Sequence, residues 1–320
     1  MVSQDPQTVK LSTWRARAAL FGKGVAMGLG DSVPGISGGT IAVITNIYDQ
    51  LVFSLRAFDA RFLIQLSQGQ IKNAWLRVNG NFLLVLALAI LSGLLISANT
   101  VLYLLDKQFE ALMAFFLGLV LSSVAILARE THILHLHNGL ALLAGACVTV
   151  LIGQMDPVTS ANISYVYLFF CGLIAISAMI LPGLSGAFIL ILLGAYETML
   201  IALTQLQWLN IFVFVAGCGI GILAFSRVLA SFLLRFRDLC YGFICGMLLG
   251  SLLVLWPWQQ PVSFYTDSDG ELQTLQSVNV WPLNYTELTG QSPQLLWVAL
   301  CFLLGGAAVF TLRWLFSERA

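Results

Sequence analysis

The chain carries one phrase twice, as DSVPGISGGTIAVITNIYDQLV at residues 31–52 and as MILPGLSGAFILILLGAYETML at residues 179–200. The identical positions at one constant offset include the residues of the break and a tyrosine: Pro34, Gly35, Ser37, Gly38 and Tyr48 match Pro182, Gly183, Ser185, Gly186 and Tyr196. The acid Asp49 also matches the acid Glu197. Each copy therefore places a Pro-Gly-x-Ser-Gly break inside an apolar stretch. Paired interrupted segments in the two halves of a membrane protein are the best sequence indication of a transporter's binding site.

The composition is that of a membrane protein. The 320 residues are 59% hydrophobic and 9% charged, with a mean hydropathy of +0.90, whereas a soluble globular chain is about 25% charged. We therefore expect residues 1–320 to form a single all-α, polytopic membrane domain. The net charge of zero gives no indication of nucleic-acid binding. The six cysteines lie in apolar segments without a Cys-x-x-Cys pair, which favours packing over disulfides or metal binding.

Ten apolar segments are visible, and several reach the roughly 20 residues that a helix needs to cross a bilayer. They lie at about 17–31, 35–54, 82–105, 109–128, 136–153, 163–180, 184–204, 208–226, 239–256 and 294–316. We interpret each Pro-Gly break with its flanking segments as a re-entrant helical hairpin. Non-helical backbone inside a membrane survives only where it is buried in protein or lines a wet cavity. Full membrane spans at each break remain the alternative.

The positive charges indicate which side of the membrane each loop occupies. Thirteen of them fall on one side if each hairpin counts as zero or two crossings: Lys10, Arg15, Arg17, Arg56, Arg61, Lys72, Arg77, Arg129, Arg227, Arg235, Arg237, Arg313 and Arg319. The other side receives Lys107, Asp106, Asp156 and the acidic stretch 257–293, which contains no Lys or Arg. The positive-inside rule then predicts a multi-pass protein of the bacterial cytoplasmic membrane with both termini in the cytoplasm.

The two halves are predicted to be inverted repeats. Each half has five apolar segments, and treating two of them as a hairpin leaves about three crossings, an odd number. Residues 17–153 and 163–316 then run in opposite directions through the membrane. A second, weaker similarity relates FFLGLVLSS at 115–123 to FICGMLLGS at 243–251. The offset between these two segments is 20 residues shorter than the offset between the two copies of the repeated phrase. An insert in the first half accounts for this difference.

Two segments are predicted to lie outside the membrane core. In the insert at 55–80, apolar residues recur at helical spacing among polar ones: Leu55, Phe58, Phe62 and Leu66. This pattern indicates an amphipathic helix on the cytoplasmic membrane surface, with a solvated linker as the alternative. The extracytoplasmic loop 257–293 contains VSFYT and ELQTL around the turn DSDG, which predicts a small β-hairpin.

The repeated phrase suits an anion site. Proline at the first position of a helix fixes the backbone for the helix start. Gly38, Gly39 and Gly186 leave their amides accessible to a ligand, and Ser37, Thr40 and Ser185 add hydroxyls. The remaining residues of the motif are expected to shape the backbone of the break: Ser32, Pro34, Gly35, Pro182 and Gly183. Helix starts bind phosphate through free amides and the positive end of the dipole. Two such starts from opposite faces are predicted to meet near the midplane. The alternative is that the small residues merely let helices pack closely.

Several charges lie near this predicted core. Ionisable groups inside a membrane are costly and usually face a cavity or pair with one another. Asp31, directly before the first break, is the strongest candidate for a cavity-facing acid that binds a coupling ion, and Lys23, Asp49 and Glu197 are further candidates. Asp49 and Glu197 alternatively anchor hairpin ends at the interface. Arg227 either meets a phosphate or marks the cytoplasmic boundary.

No sign of an enzyme is found in the sequence. The three histidines, His132, His135 and His137, share one predicted cytoplasmic turn, with only Glu130 nearby as a further ligand. Metal binding and histidine-based phosphatase chemistry are therefore not expected. Neither a Gly-rich nucleotide loop nor a Ser-x-x-Lys motif is present. We expect no catalytic activity, no cofactor and no metal.

The two phrases GLGDSVPGISGGTIAVITNIYDQLV and LPGLSGAFILILLGAYE resemble the bacterial polyprenyl-phosphate translocases of the PopT type, a family formerly known as a domain of unknown function. The resemblance runs from about Phe21 to Arg313. It implies a flippase that returns undecaprenyl phosphate from the outer to the inner leaflet, for peptidoglycan and surface-polymer synthesis. By position, the family motif falls on Asp31 to Thr40 and on Pro182 to Gly186. Ala187 gives the second copy less polarity than the first.

Energetics predict a coupling ion. Moving a negative headgroup inward opposes the membrane potential by about 2.3 kcal/mol per charge per 100 mV. A cotransported proton or sodium ion would offset this, with Asp31 as its first candidate site. The alternatives are a secondary transporter of a small soluble anion, an enzyme of the polyprenyl pathway and a non-transporting scaffold. The oligomeric state is open.

Overall fold

The structure is a computed structural model that describes residues 13–32, 37–131, 135–155, 157–158, 163–266 and 272–316. Within these ranges the chain forms fifteen α-helices and one two-stranded sheet. The prediction of a mostly helical protein is confirmed. Some residues singled out above lie outside the described ranges, namely Lys10, Pro34, Gly35, His132, Asp156, Arg319 and the predicted turn at 267–270.

The first half contains eight helices. They are α1 (Trp14–Asp31), α2 (Gly38–Ile44), α3 (Tyr48–Arg56), α4 (Ala60–Ser67), α5 (Ile71–Arg77), α6 (Gly80–Lys107), α7 (Phe109–Glu130) and α8 (Leu136–Gly153). The predicted insert forms the two short helices α4 and α5 rather than one. An ion pair between Arg77 and Asp59, the N-cap of α4, joins them at 2.6 Å.

The second half contains seven helices and a hairpin. They are α9 (Tyr165–Ile180), α10 (Gly186–Leu192), α11 (Tyr196–Thr204), α12 (Trp208–Arg235), α13 (Arg237–Ser251), β1 (Gln259–Thr266), β2 (Leu272–Asn279), α14 (Pro282–Thr289) and α15 (Leu295–Phe316). The antiparallel pairing of Gln259 with Asn279 confirms the predicted hairpin. The hydroxyl of Tyr285 in α14 donates to Oε1 of buried Glu110 at 2.7 Å, which docks α14 on α7.

Helix lengths repeat between the halves. α2 and α10 have 7 residues each, α3 and α11 have 9, and α6 and α12 have 28. Asn46 and Gly194, at equivalent positions, both adopt left-handed backbone, with φ of 57° and 65°. These residues end α2 and α10, because a left-handed residue cannot continue a right-handed helix. The helices α4 and α5 occur in the first half alone, where the insert was predicted.

The segments that follow the two Pro-Gly breaks do not form continuous helices. The predicted segments 35–54 and 184–204 each fold as two short helices, and α10 and α11 are bent by 108° as a broken span or re-entrant loop. Among the described residues, four helices are long and apolar enough to cross a membrane, or five if that pair counts as one. The four windows are Gly80–Ser97, Phe109–Arg129, Leu136–Gly153 and Trp208–Arg235. The inverted orientation of the halves stays a prediction.

Packing joins the halves as well as each half internally. α1 packs on α6, and α9 packs on α12 in the equivalent arrangement. The later helices exchange partners, because α7 packs on α15 and α8 on α13. Glycines allow this close approach: Gly305 lies against the Phe115 carbonyl, and Gly246 against the Leu142 carbonyl. The small-residue packing considered for the repeated phrase is therefore prominent here, away from the breaks.

Candidate functional site

The two serines of the repeated phrase begin the two short helices. Oγ of Ser37 accepts from the Thr40 amide at 3.4 Å, and Oγ of Ser185 accepts from the Phe188 amide at 3.5 Å. Serine is among the best N-cap residues because its hydroxyl satisfies an amide that has no partner within the helix. Each serine thus fixes where α2 or α10 starts. The same hydroxyls are the ones predicted to face a phosphate.

The two breaks meet in space. Oγ1 of Thr40 accepts from the Gly183 amide at 3.1 Å, although these residues are 143 positions apart. The Ser37 hydroxyl donates to the Leu181 carbonyl at 3.4 Å. The first residues of α2 therefore touch the second break directly. This contact places both copies of the phrase in one site between the two halves.

Glycine is required where the breaks touch. Gly183 has φ of +89°, in the left-handed region that other residues rarely adopt. A Cβ atom there would lie 2.9 Å from the Met247 carbonyl oxygen. A Cβ atom at Gly39 would lie 3.0 Å from the Ile180 carbonyl oxygen. The phrase keeps these positions free of side chains because backbone from another element fills the space.

Asp31 occupies the start of α2. Its Oδ1 accepts from the Gly38 amide at 2.5 Å, so an internal carboxylate sits where an external anion was predicted to bind. The neighbouring Ser32 hydroxyl donates to the Gly28 carbonyl and bonds to the buried hydroxyl of Ser97. A carboxylate at a helix N-terminus is favoured by the dipole. A phosphate can use the Gly38 amide only after Asp31 moves or loses its charge.

Lys23 lies at the other end of α2. Its Nζ donates to the Thr45 carbonyl at 2.8 Å, and Thr45 is the C-cap of α2. A cation at a helix C-terminus is favoured for the same electrostatic reason that an anion is favoured at the N-terminus. Lys23 and Asp31, which share α1, therefore contact opposite ends of one short helix. This arrangement fixes α2 between two charges of α1.

Asp49 lies in a polar cluster that sequence reasoning did not anticipate. Arg237 donates to Oδ2 of Asp49 at 3.0 Å, and the Tyr241 hydroxyl donates to Oδ1 at 2.7 Å. Arg237 is not among the site residues predicted from the sequence, which assigns it only to one side of the membrane. Residues 188 positions apart carry no local signal of such a contact. The equivalent acid, Glu197, is exposed in the first turn of α11.

The hydrogen bonds that the described residues show for Arg227 go to carbonyls away from the repeated phrase. Its guanidinium donates to the Leu223 carbonyl at 2.9 Å, within α12, and to the Phe58 carbonyl at 2.7 Å. The second bond ties α12 to the end of the first hairpin. A role for Arg227 in binding a headgroup therefore stays a prediction.

The two copies differ in exposure. Ser37, Gly38 and Thr40 are buried, whereas Ser185 and Gly186 are half-buried and Ala187 is exposed. Polar groups of the second copy are thus the accessible part of the site. In the part of the chain that the structure describes, no group of three His, Cys, Asp or Glu residues could hold a metal ion.

Two cavities lie near the first hairpin. A polar one of about 220 Å³ is lined by Val43, Asn46, Leu127, Thr131, Arg237, Asp238 and Tyr241. An apolar one of about 320 Å³ lies between the insert and α6, with walls that include Phe58, Phe62, Trp75 and Leu83. The polar cavity adjoins the Asp49 cluster, so a small anion or water has room beside it.

The fold and the meeting breaks define a multi-pass helical membrane protein with one polar site shared by its two halves. A family model described as VCA0040-like, undecaprenyl phosphate translocase-like, matches residues 27–273. The chain belongs to this family.

Two relatives extend the comparison. A polyprenyl-phosphate transporter of Vibrio cholerae serotype O1 is 38% identical over 287 residues, which are 90% of this chain and 92% of that protein. A polyprenyl-phosphate transporter of Staphylococcus aureus is 29% identical over 254 residues, or 73% of this chain and 84% of that protein. No solved structure matches the chain significantly. The family resemblance inferred from the repeated phrase is thereby confirmed.

Proposed function

We propose that this protein is a flippase for undecaprenyl phosphate and returns it from the outer to the inner leaflet of the bacterial cytoplasmic membrane. The observation that carries the proposal is the contact of Thr40 with the Gly183 amide, which unites two repeated breaks between the halves. The relatives named as polyprenyl-phosphate transporters support the substrate. The lipid so returned would serve peptidoglycan and surface-polymer synthesis.

The headgroup and the chain of this lipid need different surroundings. A phosphate needs donors inside the membrane, and the half-buried Ser185 and Gly186 offer a hydroxyl and a bare backbone. The isoprenoid chain needs only contact with lipid, so no aqueous tunnel has to accommodate it. In our proposal the phosphate reaches the second break first. It then passes to the first break as Asp31 leaves the Gly38 amide.

Asp31 is the proposed coupling site. A proton or sodium ion bound to its carboxylate would weaken its bond to the Gly38 amide and offset the charge of the phosphate. Inward movement of each negative charge costs about 2.3 kcal/mol per 100 mV of membrane potential, and a cotransported cation would offset this cost. Asp31→Asn keeps an oxygen acceptor of the same shape. We expect it to retain the fold and to lose the dependence of transport on a proton or sodium gradient, measured in proteoliposomes.

Two outcomes separate this idea from its alternatives. Asp59→Asn, an acid in the insert, is the matched control and is expected to keep the full gradient dependence. If Asp31→Asn keeps it as well, Asp31 is not the coupling site. If excess free phosphate or sulfate competes with lipid movement, a small-anion transporter becomes the better description.

The direct test measures headgroup exposure on cells. The protein is depleted in a strain without redundant translocases, and an impermeant probe that binds polyprenyl phosphate is applied to intact cells. We expect outer-surface staining to rise, and wild-type protein to reverse it. A double variant, Ser37→Ala with Ser185→Ala, is expected to fail, whereas the serine-to-threonine pair retains the hydroxyls and the caps and is expected to succeed.

A matched control addresses folding. Ser123 and Ser226 are buried serines that bond within their own helices, to the Leu119 and Leu223 carbonyls. The alanine pair at these positions removes two buried hydroxyls away from the breaks and is expected to transport normally. If both alanine pairs fail equally, the breaks have no special role. If depletion causes no rise in staining, inward lipid transport is refuted.

A further inference from the structure

The two hairpins are equivalent in sequence but not in their surroundings. The first hairpin, α2 with α3, turns at Asn46 and not at the Pro-Gly break around which a hairpin was predicted. It packs against α1 of its own half and also against α9 and α12 of the other half. The second hairpin, α10 with α11, has α9 and α12 of its own half as its main neighbours. Burial follows the same division, because Tyr48 is 1% exposed and its equivalent Tyr196 is 37% exposed. The structure thus has one closed and one open hairpin.

A polar cluster joins the closed hairpin to the other half. Arg237 and Tyr241 of α13 both donate to Asp49 of α3, and the Arg237 guanidinium lies 5.6 Å from the centre of the Tyr241 ring. Asp238 is the further charge beside this cluster and lines the same polar cavity. The pair remains accessible to water, since the Arg237 side chain is 56% exposed and that of Asp49 is 24% exposed. Water access allows the pair to exchange partners.

The open hairpin has no such cluster. Among the described residues, no hydrogen bond or ion pair is found for the Glu197 side chain. Arg237 is the first residue of α13, and the corresponding first residue of α7 is Phe109. At the place of Tyr241, one turn further along α7, the chain has Met113. Neither can donate to an acid, so the bonds that hold the first hairpin cannot form for the second.

The closed hairpin also contains an unsatisfied group. The Tyr48 hydroxyl is buried without a hydrogen-bond partner among the described residues, although it lies next to Asp49 in sequence. A buried polar group without a partner disfavours the state that buries it. Movement of the hairpin would expose this hydroxyl to water. The closed position is therefore one that specific contacts must hold.

We propose that Asp49, Arg237 and Tyr241 form a lock that holds the first hairpin closed, and that release of this lock opens the polar cavity beside α13 during transport. The proposal rests on the proposed function for its role, while the lock itself is a property of the fold. An element with two positions, biased by a few contacts, is the physical basis of such a switch. Opening one hairpin while the other closes would carry a ligand across the shared site.

Cys240 provides a reporter within the cluster. It lies between Arg237 and Tyr241 on α13 and is 8% exposed. A protein whose other five cysteines are replaced by alanine would carry this thiol alone. Its alkylation rate by a water-soluble maleimide is measured on purified protein in detergent. The thiol belongs to the same buried cluster as Tyr48 of the closed hairpin. We therefore expect movement of the hairpin to raise the access of reagent to the thiol, so that slow labelling reports the locked state.

Arg237→Gln is the decisive variant. Loss of a positive charge beside a thiol disfavours the thiolate and by itself slows alkylation. Release of the lock uncovers the thiol and accelerates its alkylation. The loss of charge and the release of the lock therefore change the alkylation rate in opposite directions. We expect labelling to be about tenfold faster or more, which corresponds to a change of about 1.4 kcal/mol in the open–closed equilibrium. A rate equal to or below that of the parent protein overturns the lock.

Controls separate the lock from general destabilisation. Arg77→Gln breaks another arginine–aspartate pair, which lies within the first half, and is expected to leave the Cys240 rate unchanged. The swap of Asp49→Arg with Arg237→Asp restores a pair of opposite charges and is expected to restore slow labelling. If the swapped protein labels as fast as Arg237→Gln, pairing is not what closes the hairpin.

The lock and the proposed function fail separately. If Arg237→Gln accelerates labelling but wild-type protein moves no polyprenyl phosphate in proteoliposomes, the lock stands and the substrate assignment is wrong. If wild-type protein transports the lipid and Arg237→Gln leaves the Cys240 rate unchanged, the function stands and the lock is wrong.

Discussion

Substitution of Gly183 by alanine tests whether the tight packing of the second break, against α13 and against Thr40, stabilises the fold. The left-handed backbone at φ +89° costs a residue with a Cβ about 1–2 kcal/mol. The new Cβ would lie 2.9 Å from the carbonyl oxygen of Met247, a fully buried residue of α13, so backbone has to shift. Such overpacking costs about 1–3 kcal/mol. Displacement of the Gly183 amide from Thr40 adds about 1 kcal/mol.

The expected loss is therefore about 3–6 kcal/mol in the free energy of unfolding. Reversible unfolding in mixed micelles, followed by circular dichroism, measures it. Gly69 and Gly290 are matched controls, because both have φ of +73° and open space around the position of a Cβ. Alanine there brings the same backbone strain without the clash, and about 1–2 kcal/mol is expected for each. If Gly183→Ala costs no more than these two variants, the second break does not pack tightly against α13.

Three further predictions concern single contacts. Thr40→Val leaves the buried amide of the opposite break without a partner, and we expect a loss of about 1–3 kcal/mol in the same unfolding assay. Tyr285→Phe removes a donor from buried Glu110 and should cost about 1.5–3 kcal/mol, whereas an unchanged midpoint would mean that α14 does not dock there. The hydrogen bond from Arg77 lowers the pKa of Asp59 to about 2, so the ion pair stabilises the insert above about pH 4 and is lost as pH falls towards 2. An NMR titration should find that Arg77→Gln returns this pKa towards about 4, and an unshifted value in the variant would contradict the pairing.

Much of the helical framework follows from local sequence. The Pro-Gly-x-Ser-Gly phrase predicts a break followed by a helix start, and Ser37 and Ser185 are the N-caps of α2 and α10. These features are predictable because a cap and a break depend on a few neighbouring residues. The two pairs of similar segments have offsets that differ by 20 residues, and this difference also predicts the insert that forms α4 and α5. The left-handed Asn46, which splits the segment 35–54, was missed because asparagine only moderately favours that conformation.

The site was predictable in part. The sequence indicates that both copies of the phrase belong to one site, and the contact of Thr40 with Gly183 brings them together. It also marks Asp31 as the acid beside the break. It does not predict that Asp31 binds the Gly38 amide and so fills the place of an anion, because the placement of the end of α1 beside the start of α2 decides that contact.

The sequence by itself determined the class of protein, the duplication, the positions of both breaks and the residues that start the short helices. Those properties depend on composition, spacing and local backbone chemistry. The tertiary structure alone decided which copy is buried and which is accessible. A near-symmetric repeat encodes two similar hairpins, and their difference arises from packing between distant segments, such as Asp49 against Arg237, 188 positions away.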